Sequence, residues 1–94
     1  MSYSLKFKPK ALKEWNKLNA TIKKQFAKKL ETILENPHIP HNKLSGFSSV
    51  YKIKLRQSGY RLAYEVQDEE VIVLVLKIGK RDKVYDKLRE ILKG

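Results

Sequence analysis

Residues 51–66 read YKIKLRQSGYRLAYEV, two alternating runs on either side of Gln57-Ser58-Gly59. Strict alternation of apolar and polar residues marks a half-buried strand, and a glycine between two such runs marks a hairpin. The simplest closure is a two-residue turn at Ser58-Gly59, where glycine supplies the positive backbone angle. That register sets Arg56 against Arg61, Leu55 against Leu62, Lys54 against Ala63 and Lys52 against Glu65. Ile53, Leu55, Leu62, Tyr64 and Val66 then share one face, because successive strand side chains point to opposite sides. Lys52, Lys54, Arg56, Arg61, Ala63 and Glu65 share the other. Directly opposed like charges destabilise a strand pair. A face built for stability alone would mix signs, so four cations beside one acid point to an anionic ligand.

Outward from the hairpin, the remaining elements fall into place. VIVLVLKIG, residues 71–79, follows the acidic turn QDEE and is apolar at six successive positions, as expected of a strand covered on both faces. Tyr3, Leu5 and Phe7 alternate with polar residues in a short strand. Pro9 suits the first turn of a helix with Ala11, Leu12, Trp15 and Leu18 on one stripe. Residues 19–21 can cap a second helix carrying Ile22, Phe26, Leu30, Ile33 and Leu34, which Pro37 stops. NPHIPHNKLSGFSS is a loop. The tail DKVYDKLREILKG is a third helix, with Asp82 as N-cap and Val84, Leu88, Ile91 and Leu92 as its stripe. The order strand, helix, helix, three strands, helix predicts one α+β domain over residues 1–94. Two antiparallel N-terminal helices should pack on a mainly antiparallel four-stranded sheet, with a short C-terminal helix. That tail helix, or a partner, must cover part of the cationic face, because the all-apolar strand reaches it.

Lys and Arg number 21 against 10 Asp and Glu, a net charge of +11, while 41% of the residues are hydrophobic. A folded domain with such an excess fits a polyanionic partner, nucleic acid above all. The chain has no cysteine, which excludes a disulfide scaffold and thiolate metal sites and suits a reducing compartment. MSYSLKFKPK lacks the apolar core of a signal peptide, and VIVLVLKIG is too short to span a bilayer as a helix. A cytoplasmic protein without membrane association is expected.

The chemistry open to these residues is narrow. There is no nucleophile elbow, no Gly-rich phosphate loop and no carboxylate cluster for magnesium. His38 and His41 lack a third ligand, so neither a metal nor another cofactor is expected. Lys, Arg and Tyr suffice to cleave RNA, whose 2′-hydroxyl is an internal nucleophile. The reaction then needs orientation, a proton acceptor and stabilisation of charge on the phosphate. Crowded cations lower a lysine's pKa, making Lys52 or Lys54 a candidate base. Arg81 can clamp the transition state, and Tyr85 can stack on a base or move a proton.

ALKEWNKL, NKLSG, YKIKLRQSGYRLAYEV and GKRDKVY, in this order and spacing, resemble the RelE toxins of bacterial and archaeal toxin–antitoxin modules. The resemblance covers nearly the whole chain. It implies a ribosome-dependent endoribonuclease that enters the A site of the 70S ribosome and cuts mRNA. It also implies a RelB-like antitoxin that wraps and neutralises the toxin. Carried onto this chain, the family's functional positions are Lys52, Lys54, Arg61, Arg81 and Tyr85, with Lys43, Arg56, Lys80 and Lys83 as surrounding RNA contacts. The segment between Arg81 and Tyr85 is shorter than in some relatives, and Ser45 stands where relatives often carry a basic residue. The similar ParE toxins share the fold, act on gyrase and lack the full basic and tyrosine set. Three readings follow: an endoribonuclease toxin, which that set favours, a gyrase-directed toxin, and a non-catalytic RNA-binding module.

Overall fold

A computed structural model describes residues 2–93, with side chains as far as Glu90. The chain runs β1 (Ser4–Phe7), α1 (Pro9–Lys17), α2 (Ala20–Glu35), a 3₁₀ turn at Pro40–Asn42, β2 (Val50–Leu55), β3 (Tyr60–Gln67), β4 (Ile72–Lys80) and α3 (Arg81–Lys93). The four strands form one sheet in the order β1-β4-β3-β2. β1 lies parallel to β4, and the other neighbours are antiparallel. This is the expected α+β arrangement. Among the described residues no helix is long and apolar enough to cross a membrane.

Local sequence accounts for the helices. Pro9 opens α1, and the Asn19 side chain accepts from the Ile22 N–H at 2.9 Å to cap α2. Ile22, Phe26, Leu30 and Ile33 of α2 are buried against Tyr51, Ile53, Leu55, Leu62, Tyr64 and Val66 of the hairpin. Ala11 is buried beneath α1 and Trp15 and Leu18 are half-buried, whereas Leu12 stays 44% exposed. At about 100° per residue, Ala11, Trp15 and Leu18 cluster and Leu12 falls on their flank.

The hairpin register differs from the expected one. Pairing closes at Leu55 and Tyr60, so the loop is the four residues Arg56–Gly59. The Gly59 N–H and the Ser58 hydroxyl both donate to the Leu55 carbonyl, at 2.9 and 3.3 Å, and Gly59 carries a φ of 77°. Those bonds satisfy the longer loop internally. Lys54 therefore faces Arg61, Lys52 faces Ala63, and Glu65 faces Val50. The slip is two residues, an even number, so every strand residue keeps its predicted face. Arg56 alone leaves the sheet.

β4 is covered on both sides, as its composition demands. Val73, Val75 and Ile78 join the core beneath the helix pair. Leu76 joins Val50, Ala63, Val84 and Leu88 in a second cluster under α3, with Leu74, Leu44, Phe47 and Tyr85 packed around it. A β-bulge interrupts the register where Ala63 pairs with Lys77 and Tyr64 with Val75, leaving Leu76 as the extra residue. α3 begins at Arg81, directly after β4, so Asp82 sits in its first turn and is not its cap. Val84 and Leu88 of the expected stripe are buried; Ile91 and Leu92 lie outside the described side chains.

The packing separates two apolar helix positions sharply. Phe26→Ala should destabilise the protein by about 3–5 kcal/mol. Leu12→Ala should cost no more than about 0.5 kcal/mol, as for an exposed site. Urea unfolding of both variants checks this.

Candidate active site

The face covered by α3 is apolar at one end and cationic at the other. Val50, Ala63 and Leu76 lie under α3. Toward the hairpin tip the same face carries Lys52 and Lys54 from β2 and Arg61 from β3. α3 supplies Arg81 at its first position and Tyr85 one turn later. The segment Lys43–Phe47 forms the facing wall, anchored by a bridge between Lys43 and Tyr51 and by the Leu44 N–H donating to the Val50 carbonyl at 2.9 Å. Between them runs a groove of about 710 Å³. Lys43, Lys52, Lys54, Arg61, Arg81 and Arg89 line it, with no acidic residue.

Lys52, Lys54, Arg61, Arg81, Tyr85 and Lys43 are thus gathered around one cavity. The other three positions expected to contact RNA are not. Lys80 points to the hairpin tip, where its Nζ donates to the Ser58 carbonyl at 2.6 Å and sits 4.3 Å from the Tyr60 ring centroid. Lys83 is exposed on α3 away from the groove. Arg56, displaced by the four-residue loop, lines a separate cleft with Lys28 and Lys29 of α2. The structure also adds two residues that the sequence reading passed over. Arg89 follows Arg81 and Tyr85 at four-residue spacing, a repeat that was available in the sequence once the helix start was known. Phe47 is half-buried at the groove wall, and nothing local announces it.

The electrostatics follow from this crowding. Lys52 beside Lys54 lowers the Lys54 pKa, helped by partial desolvation and by the Arg56 and Arg61 guanidiniums. The Arg61 Nη1 donates to the Tyr60 carbonyl at 3.0 Å, while its buried Nε has no partner among the described residues.

Several polar residues away from the groove serve the fold. Tyr51 and Tyr64 stack at 5.5 Å on the helix side, and the Tyr64 hydroxyl donates to the Pro37 carbonyl at 3.0 Å. Burial, with Tyr51 nearby, raises the Tyr64 pKa. Asp68 accepts from the Tyr3 hydroxyl at 2.6 Å and bonds His38 Nε2 at 2.8 Å. The Tyr3 hydroxyl first, and then His38, hold its carboxyl below the usual range. His38 is therefore engaged in tying the loop after α2 to the β3–β4 turn. Among the described residues no three His, Cys, Asp or Glu side chains group as metal ligands.

The comparisons agree with this fold. Residues 5–85 match the family model described as the ParE toxin of the type II toxin–antitoxin system parDE. The mRNA interferase toxin RelE of Escherichia coli K12 is 54% identical over 83 residues, covering 88% of this chain and 87% of that protein. This chain belongs to the RelE/ParE toxin family, and to its RelE branch. The isolated E. coli RelE toxin superposes with a TM-score of 0.83 at 49% identity, covering 97% of this chain and 99% of that one. RelE in the intact E. coli RelBE toxin–antitoxin complex also gives 0.83, at 54% identity, covering 85% and 98%.

The lowered Lys54 pKa carries a stability consequence with a definite sign. The folded protein binds the Lys54 proton less tightly than the unfolded chain does, so this group opposes folding at neutral pH. Its penalty should fade as pH rises through the lowered folded value toward the ordinary lysine value. Lys54→Met, which keeps the aliphatic stem, should be at least as stable as the parent near pH 7. Its advantage should shrink toward pH 10.5, and urea unfolding of both proteins across that range measures it.

Proposed function

We propose that this RelE-family toxin is a metal-independent mRNA endoribonuclease that works in the A site of the ribosome. We infer a single catalytic domain, residues 1–94, acting in the cytoplasm and held in check by a RelB-like antitoxin. The observation that carries the reading is the acid-free groove in which Lys52, Lys54, Arg61, Arg81 and Tyr85 converge.

The reaction suited to that groove is attack of an mRNA 2′-hydroxyl on the adjacent phosphorus. A 2′-O–P bond forms, the P–O5′ bond breaks, and the products are a 2′,3′-cyclic phosphate and a 5′-hydroxyl. Lys54, with its lowered pKa, takes the 2′-hydroxyl proton. Arg61 and Arg81 grip the non-bridging oxygens, on which negative charge builds. Lys52 adds charge at the same phosphate and keeps Lys54 acidic. Tyr85, one helical turn from Arg81, stacks against a base next to the scissile bond or passes the proton to the leaving 5′-oxygen. The groove holds the phosphate but cannot impose the in-line geometry on a floppy single strand. The ribosome supplies that order, which is why cleavage of free RNA should be poor.

A second cationic surface suits docking on ribosomal RNA. Lys28 and Lys29 of α2 line a cleft with Arg56 and Gln57, and Lys54 borders both this cleft and the groove. Neutralising Lys28 and Lys29 together should weaken ribosome association and flatten its salt dependence, as for loss of about two phosphate contacts. Single-turnover cleavage at saturating ribosomes should be unchanged, which separates docking from chemistry.

An antitoxin would silence the enzyme by covering the groove or by lifting α3, which holds Arg81 and Tyr85. An amphipathic helix with acidic residues fits that surface.

The decisive experiment incubates the purified protein with mRNA, with and without ribosomes, and maps the cuts and their ends. Ribosome-dependent cuts ending in a 2′,3′-cyclic or 3′-phosphate are expected. Arg81→Ala should lower the single-turnover rate on the order of a hundredfold with ribosome affinity nearly intact. Cuts bearing 5′-phosphates, or inhibition of DNA gyrase without RNA cleavage, would overturn the reading and favour a ParE-type activity.

A further inference from the structure

The carboxylate of Glu14 sits in an unusual place. Its Oε1 accepts from the Ile78 N–H at 3.1 Å, and its Oε2 is paired with Lys77 Nζ. The pair is largely shielded, with 25% of the Glu14 side chain exposed and 18% of Lys77. Glu14 belongs to α1, on the helix side of the sheet, whereas the groove lies on the other side.

The reason for this contact is topological. β1 pairs with β4 only as far as Phe7 and Val75, and the Lys8 N–H makes the last bond, to the Val75 carbonyl at 3.0 Å. Pro9 then turns the chain into α1 and has no N–H to offer. From Leu76 onward β4 therefore has no strand on that side, and the bulge at Leu76 has just disrupted its ladder. Glu14 takes the place of the missing strand at Ile78. Three residues later comes Arg81. Between them Gly79 pairs with Arg61 and Lys80 with Tyr60, and the Arg81 N–H donates to the Gly59 carbonyl at 3.1 Å.

We infer that Glu14 is a positioning residue for Arg81: it clamps the far edge of β4 after the bulge and so sets where α3 begins relative to Lys54 and Arg61. The inference rests on the nuclease reading, because it concerns the placement of a transition-state clamp. Such groups must be held within about 0.5 Å of their productive place. A misplacement of about 1 Å can cost on the order of a hundredfold in rate.

Two substitutions separate the clamp from mere charge. Glu14→Gln keeps the reach and the acceptor for the Ile78 N–H but loses the charge. Glu14→Asp keeps the charge but is one methylene too short. The rate at saturating ribosomes should fall roughly tenfold in Glu14→Asp, with ribosome affinity unchanged, and should stay near the parent's in Glu14→Gln. In an Arg81→Ala background Glu14→Asp should cause no further loss, because the residue through which it acts is gone. Amide exchange at residues 78–81 should quicken in Glu14→Asp and not in Glu14→Gln. That readout needs no activity, so it tests the clamp even if the parent proves inactive on ribosomes, an outcome that would sink the nuclease reading instead. A Glu14→Asp loss that multiplies with Arg81→Ala, a Glu14→Gln as slow as Glu14→Asp, or unaltered exchange at residues 78–81 in Glu14→Asp would overturn the proposal.

Discussion

Burial of β4 on both faces is the constraint around which the molecule is built. A central strand with Val73, Val75 and Ile78 on one side and Leu74 and Leu76 on the other must be covered twice. α1 and α2 cover the first side. α3, with Leu44 and Phe47 beside it, covers part of the second. Val84 and Leu88 seal the apolar end, and the rest stays open beside Lys52, Lys54 and Arg61. The groove is what remains of a sheet face when one helix has done its packing.

The same helix that completes the core lines the groove with Arg81 and Tyr85. Arg81 and Tyr85 flank Val84, so the residue that buries itself holds its neighbours over the cations of β2 and β3. Chemistry and stability are coupled through that short segment. Anything that displaces Val84 and Leu88 removes Arg81 and Tyr85 from the groove while leaving the helix-side core untouched. This gives an antitoxin an economical route to inhibition, since the second hydrophobic cluster is small and separate from the first.

The crowded cations oppose folding and are tolerated because the opposing terms are modest. The groove is open to solvent, where like-charge repulsion is screened. Lys54 relieves part of it by giving up its proton more readily. Elsewhere charge is handled in the ordinary way: Asp68 is shared by Tyr3 and His38, and Glu14 is matched by Lys77 and a backbone amide. These satisfied carboxylates contrast with a groove that, among the described residues, has none in its lining.

The pattern of residues was enough to determine the element order, the two-faced strand and the membership of each hairpin face, because side-chain periods of about 3.6 and 2 are local properties. Lys52, Lys54 and Arg61 could be grouped on that basis alone. The turn could not: the choice between two and four residues depends on bonds to the Leu55 carbonyl and on what Tyr60 meets, and Arg56 was misplaced as a result. The place of Phe47 at the groove wall was likewise decided by tertiary structure, since a loop and a helix distant in sequence had to meet across the sheet. Nothing in the local sequence sets Glu14 apart from the other charges of α1. Only the early end of β1, the bulge at Leu76 and the unpaired edge beyond it turn that carboxylate into part of the frame. Periodicity assigns a side chain to a face, but which groups on different elements come within bonding distance is settled by how those faces pack.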